Sequence, residues 1–168
     1  MEGQSDISVK IRSYCERDEA ACRSLYREGL LGGKLADNDT GLDIDDIITA
    51  YMTDPGNHFW VAENEAGEIV GTIGVQHHED HVGEVRRLRV RADHRRRGIG
   101  ARLVEQALKF CQELGYLKIT LDTFMEREPA IRLFERFHFR HSRSKDVNGK
   151  QLMFFYLNIY EAEKRHQE

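Results

Sequence analysis

The sequence is short of everything that would cross-link it or carry it through a membrane. Its three cysteines, Cys15, Cys22 and Cys111, are odd in number and form no C-x-x-C pair. That argues against a disulfide framework or a structural zinc site and for a reducing, cytoplasmic setting. No stretch approaches the roughly 20 consecutive apolar residues of a membrane helix. The opening MEGQSDIS lacks the apolar run of a secretory leader, so neither membrane nor export is expected. Internal repeats and low-complexity linkers are missing, and 168 residues suffice for one domain with a substantial core, expected over about residues 7–160 with a loosely held charged tail at 161–168. Positive charge is not in excess either: a net charge of -4 speaks against a protein that lives on nucleic acid, despite a local run of arginines.

What is present is charge placed unevenly. Residues 37–46 are acidic, whereas the middle is rich in arginine, which points to an anionic ligand at one place and a cationic one at another. The arginines concentrate in residues 84–115, EVRRLRVRADHRRRGIGARLVEQALKFCQELG. The pattern predicts a strand over 85–90, a turn, and a helix whose apolar stripe is Leu103, Val104, Ala107, Leu108, Cys111 and Leu114, stopped by Gly115. At the joint stand Arg95, Arg96, Arg97, Gly98, Ile99 and Gly100. A helix start leaves about four backbone N–H groups unpaired and carries roughly half a positive charge, so three arginines beside it repel that end unless an anion intervenes. Glycines let a bulky anion reach the N–H groups, and arginines add charge-assisted bonds to phosphate oxygens. A pyrophosphate cradle is the expectation; the plainer alternative is a helix that merely starts at a glycine turn, its arginines in water. The stretch is no Walker loop, lacking the Gly-Lys-Ser/Thr ending, and no dinucleotide fingerprint, because the third glycine position is Leu103.

Around this joint the periodicities set an order. Residues 7–12 alternate (Ile7, Val9, Ile11) as a first strand, a helix follows over about 18–29, then a glycine- and acid-rich loop at 32–41. Ile44, Ile47, Ile48, Tyr51 and Met52 share one face of a second helix, ended by the turn at 54–57. Strands over 59–62 and 69–76 make a hairpin ahead of the central stretch. Leu117, Ile119 and Leu121 mark another strand, Pro129 opens a helix with Ile131, Leu133, Phe134 and Phe137 on its apolar face, and Asn148-Gly149 joins two last strands. The sum is an α/β fold: a mixed, twisted, mostly antiparallel sheet of about seven strands with helices on both faces.

The run Arg95-x-x-Gly98-x-Gly100 after EVRRLRV resembles the acetyl-CoA signature of the GNAT N-acetyltransferase superfamily, and AIRLFERFHF (residues 130–139) is similar to its second motif. The resemblance implies acetyl-CoA as co-substrate, a primary amine as acceptor, and the sheet-edge dimers common in that superfamily; no metal is expected. It also implies that Leu88, Arg89 and Val90 line the pantetheine arm and that the turn from Arg95, Arg96 and Arg97 through Gly98, Ile99, Gly100 and Ala101 holds the diphosphate. Three departures stand out: Phe134 occupies the usual tyrosine position, Arg127 replaces a frequent asparagine, and His138 replaces a glycine, which strains a left-handed cap. In EVRRLRV, Val85 is out of phase with Leu88 and Val90, as an extra residue near Arg86 and Arg87 would make it. Such a bulge bends the strand and opens a slot for an acyl-thioester arm; a strand that simply begins at Arg87 has the same spacing.

Acetyl transfer needs a neutral nitrogen, and an amine of pKa about 10.4 costs roughly 4 to 5 kcal/mol to deprotonate at pH 7, so a carboxylate is sought near the slot. Glu84 is the first candidate and Asp122 the second, the latter resembling the family's carboxylate in the same strand; alternatively Glu84 only pairs with Arg86 and Asp122 only caps a loop. Tyr116, Tyr156 or water is left to protonate the thiolate. Among His77, His78, Glu79, Asp80 and His81, neighbours on an extended chain point oppositely and cannot converge on a metal, so a loop beside the acceptor, with His77 or His78 as relay or mere surface, is expected. Asp43, Asp45 and Asp46 either favour the start of the next helix or attract a cationic acceptor. No cysteine stands at a convincing nucleophile position, so direct transfer in a ternary complex is expected. A protein or peptide amine as acceptor, or an idle acyl-CoA-binding sensor, is the alternative.

Overall fold

The structure is a computed structural model that describes residues 8–28 and 39–160. Ile7, most of the acidic glycine loop and the charged tail lie outside the described residues. Seven strands form one sheet in the order β1-β2-β3-β4-β5-β7-β6. They are β1 (Val9–Ser13), β2 (His58–Asn64), β3 (Ile69–Glu79), β4 (Val82–Val90), β5 (Lys118–Phe124), β6 (Arg140–Val147) and β7 (Lys150–Asn158). Every neighbouring pair is antiparallel except β4 and β5, whose connection runs through the helix α3 (Ile99–Leu114). The α/β order read from the sequence is the observed one.

Two apolar layers clamp the sheet. On one face Leu103, Val104, Ala107 and Cys111 of α3, with Phe134 of α4 (Glu128–Arg136), pack on Val75, Val85, Ile119, Leu121 and Phe155. Leu114, expected in the α3 stripe, is exposed, because the stripe has by then run off the sheet. Leu117 is exposed as well, one residue ahead of β5, where no register yet fixes which side it faces. On the other face α1 (Glu19–Glu28) contributes Cys22, and the segment after it contributes Ile44, Ile47 and Tyr51 over Phe59 and Val61. Among the described residues this helical cover does not extend over the far half of the sheet: Asp122 is exposed, and Thr120, Phe154 and Tyr156 are half-buried.

The second helix differs from expectation. Ile44, Ile47 and Tyr51 are buried and Ile48 and Met52 half-buried, but the helix consists of α2 (Leu42–Asp45) and then a π-helical turn, Ile48–Met52. Asp46, at φ -146° and ψ 77°, breaks it. The Asp46 carboxylate accepts bonds from the Thr49 N–H at 3.1 Å and hydroxyl at 2.7 Å, restarting the chain with a cap.

Candidate active site

The site is built on a defect in β4. Thr72 pairs with Arg89 and Gly74 with Arg86, so two steps along β3 face three along β4. Arg87, at φ 58°, takes up the extra residue, and the Thr72 hydroxyl donates to its carbonyl at 2.8 Å. A bulge puts consecutive side chains on one side of a sheet. Arg86 and Arg87 accordingly both turn toward the α1–α2 layer, where Arg86 donates to Gln76 at 2.8 Å and Arg87 reaches Asp39 and Asp43. Leu88 and Val90 return to the α3 side and pack on its core. The parallel pairing of β4 with β5 covers only Val82 to Glu84, and beyond it the strands part. The extra residue read from the phase of Val85 is thus present, and a slot opens beside it.

At the end of β4 the chain makes a short turn over Ala92–His94 and enters α3. Arg96 and Gly98 both have positive φ, 63° and 81°, which aims successive peptide groups toward one side. Arg102 is the first residue whose N–H meets a carbonyl of the turn, that of Gly98 at 3.2 Å, so the N–H groups of Ile99, Gly100 and Ala101 precede the helical ladder. A side chain on Gly98 would meet open space, whereas one on Gly100 would come within 3.1 Å of Leu133. The two glycines therefore serve different ends: Gly98 allows the turn, and Gly100 lets α4 approach α3. Arg96 and Arg97 are exposed with no carboxylate partner among the described residues, and Arg95 donates its Nε to the Val90 carbonyl at 3.2 Å. Unpaired N–H groups, a helix dipole and free guanidinium groups suit a diphosphate.

Glu84 is the last paired residue before the split, and its carboxylate stands 3.4 Å from Arg86 Nε and 3.6 Å from His78 Nδ1. Asp122 follows two residues beyond Thr120, the partner of Glu84, on the same face of the sheet. Burial pushes both carboxyl groups above their ordinary range; Arg86 opposes this in each, and the Asp122 charge adds to the rise at Glu84. Asp122 is open to solvent yet surrounded at longer range by protein, the condition of a group in a trough. Neither carboxylate accepts a side-chain hydrogen bond among the described residues. Gln76 fixes the arrangement by donating to the Ala50 carbonyl at 3.1 Å while accepting from Arg86.

Other expectations meet the structure unevenly. Asp43 is taken up within the chain: it accepts two bonds from Arg87 and one from Tyr51, while Asp39 takes the remaining guanidinium edge. This buried pairing is invisible in the spacing, because 44 residues separate Asp43 from Arg87. Tyr116 is committed to structure, donating to the Gly56 carbonyl at 2.7 Å. Tyr156 shares a face with Thr120, and Phe134 is buried edge-to-face on Phe139. His77 is held through its N–H by Asn57, which leaves His78 as the histidine beside Glu84. His138 does adopt the left-handed conformation, φ 71°.

A family model described as acetyltransferase (GNAT) family matches residues 20–139. Human N-acetyltransferase 8 is 34% identical over 103 residues, covering 58% of this chain and 45% of that protein. The N-acetylaspartate synthetase of Xenopus tropicalis is 37% identical over 100 residues, covering 59% of this chain and 36% of that protein. The chain thus spans less than half the length of these relatives. Among solved structures, a GNAT acetyltransferase from Staphylococcus aureus Mu50 superimposes with a TM-score of 0.79 at 21% identity, over 90% of this chain and 99% of its own. The yncA protein of Salmonella typhimurium, solved with its cofactor acetyl-CoA, gives 0.75 at 20%, over 90% and 94%. The family match takes in the split strands, the glycine turn and α3, and the chain belongs to the acetyltransferase (GNAT) family.

Proposed function

We propose that this chain transfers the acetyl group of acetyl-CoA to a primary amine by direct attack in a ternary complex. The parting of β4 and β5 beside the bulge carries this reading, because it joins a slot, a helix start and two carboxylates of raised proton affinity. When bound, acetyl-CoA supplies an activated acetyl thioester. The N–H groups from Arg96 to Ala101, with the guanidinium groups of Arg95, Arg96 and Arg97, hold the diphosphate. Backbone groups of Leu88, Arg89 and Val90, beyond the last pair with β5, receive the pantetheine arm as an added strand. Glu84 accepts the amine proton, His78 passes it to solvent, and Asp122 keeps Glu84 basic. Burial pushes the Cys22 and Cys111 thiols up to about 12, which supports direct attack over a cysteine intermediate. Proton return to the thiolate, an undemanding step at a pKa near 8.5, falls to Tyr156 or water, since Phe134 carries no hydroxyl.

The test is the pH profile of CoA release with a panel of amines. Glu84→Gln should lower kcat by roughly 10²- to 10⁴-fold and abolish the limb that rises with pH. Asp122→Asn removes a negative charge beside Glu84, so the limb should move to lower pH and remain. Profiles unchanged in both variants would remove the carboxylates from the mechanism. Because Phe134 lacks the hydroxyl, a sensor that binds acetyl-CoA without turnover is the second reading, supported by calorimetric heat with no CoA released.

A further inference from the structure

The slot is flanked by an arginine that the chain itself leaves short of partners. Arg89 follows the bulge on the α1–α2 side, within the electrostatic reach of Arg87, Arg127, Asp39 and Tyr26. Its Nε is sealed from solvent and meets no acceptor among the described residues, and among these its Nη1 donates only to the carbonyl of the preceding residue, Leu88, at 2.9 Å. Among the described residues the nearby acids are spent: Asp39 and Asp43 together take four bonds from Arg87, at 2.6 to 2.9 Å. Arg127, at the start of α4, adds a second half-buried cation, with Arg95 pressing on it in turn. Burial first, and then Arg127 and Arg87, bring the Arg89 pKa down to about 9, the mark of a buried cation lacking a counter-charge. With Nε sealed, the edge open to a ligand is that of the two Nη groups, and Nη2 has no acceptor among the described residues, which suits a planar carboxylate.

We propose that Arg89, backed by Arg127, binds a carboxylate of the acceptor, so that the amine acetylated is that of a free amino acid and not of a polyamine or a lysine side chain. The inference rests on the transfer reading above and narrows its acceptor. The Arg89 main chain can line the pantetheine arm while its side chain faces the other way, because Leu88 and Val90 belong to the α3 core. The acceptor carboxylate would stand on the same side of the sheet as Glu84, leaving its amine free to turn toward the base.

The experiment compares matched amines on the full chain: aspartate, glutamate, glycine and β-alanine against their carboxamides, with spermidine and Nα-acetyl-lysine amide beside them. A free carboxylate should raise kcat/KM at least 10-fold over its amide. Arg89→Gln should bring the ratio of kcat/KM for acid over amide, measured within the same variant, to about 1, mainly through the KM of the amino acid. Equal rates for acid and amide overturn the proposal, as does an Arg89→Gln variant whose defect lies in the KM of acetyl-CoA, which would assign the arginine to the cofactor's phosphates. Should no amine turn over, calorimetry with glutarate on the acetyl-CoA-loaded protein decides: heat that Arg89→Gln abolishes supports the carboxylate site, and no heat overturns it. Loss of turnover with the carboxylate heat retained would instead count against the transfer reading alone.

Discussion

Arg87 shows how one side chain can hold a strand, a helix and a loop together. Its side chain, 6% exposed, bridges Asp39 and Asp43 at once. A buried pair loses little net energy when both charges go, but removing one partner strands the other, at a cost of about 3–5 kcal/mol. Arg87→Ala should therefore lower unfolding free energy by that amount in urea titration at pH 7, with two carboxylates left facing each other. Asp43 gives the matching pH dependence. Burial works to raise its pKa, but bonds from Arg87 and Tyr51 prevail and bring it from 3.8 to about 2. A depressed folded pKa contributes stability above the ordinary value and loses it as pH falls through the folded one. The stability gap between wild type and Asp43→Asn should accordingly be full above about pH 4 and close toward pH 2. A gap independent of pH would mean that Asp43 acts through packing alone.

Among the elements, the joint of β4 and α3 divides its two glycines by physical cause, and the division is measurable. Gly98 stands at φ 81° with open space around it, so Gly98→Ala should cost about 1 kcal/mol from the left-handed backbone alone. Gly100 lies inside the first turn of α3 with ordinary helical φ, and an added methyl meets the end of the Leu133 side chain closely, at 3.1 Å, and Val90 at an ordinary 3.8 Å. Gly100→Ala should be neutral or stabilising by a few tenths of a kcal/mol, since alanine favours the helix. Thermal melts of the two variants should move in opposite directions or differ by several degrees; equal losses would mean that Leu133 cannot yield. The local features of these elements were legible in sequence: the phase slip of Val85 marked the bulge, Asn148-Gly149 the hairpin, with φ of 53° and 82°, and His138 the strained cap. Asp46 was harder to read, because an aspartate after Leu42–Asp45 is equally a favourable first-turn charge and a break that restarts the helix.

In the whole molecule the site comes from topology, and topology is where sequence reading stopped. Glu84 and Asp122 lie on strands joined through α3, and only the three-residue parallel register from Val82 to Glu84 brings them to one trough. Likewise the unmet Arg89 becomes visible only once Arg87 is seen to have taken both nearby acids. On the transfer reading proposed above, cofactor binding would be a property of the folded chain, since the glycine turn and the slot exist together only when β4 leaves β5. A ligand bound by the native state alone stabilises by about 2.7 kcal/mol at one hundred times its Kd. For a domain of this size each kcal/mol is worth about 2–4 °C, so acetyl-CoA at that excess should raise Tm by about 5–11 °C. On the same reading the rise should shrink with added salt, because Arg96 and Arg97 are exposed and would act on phosphates through screened charge. S-acetylpantetheine, which has the thioester arm but no diphosphate, should shift Tm far less at equal concentration. A full shift with that fragment would move the binding energy from the turn at Gly98 to the slot between the strands, and the arginines would then be solvated surface.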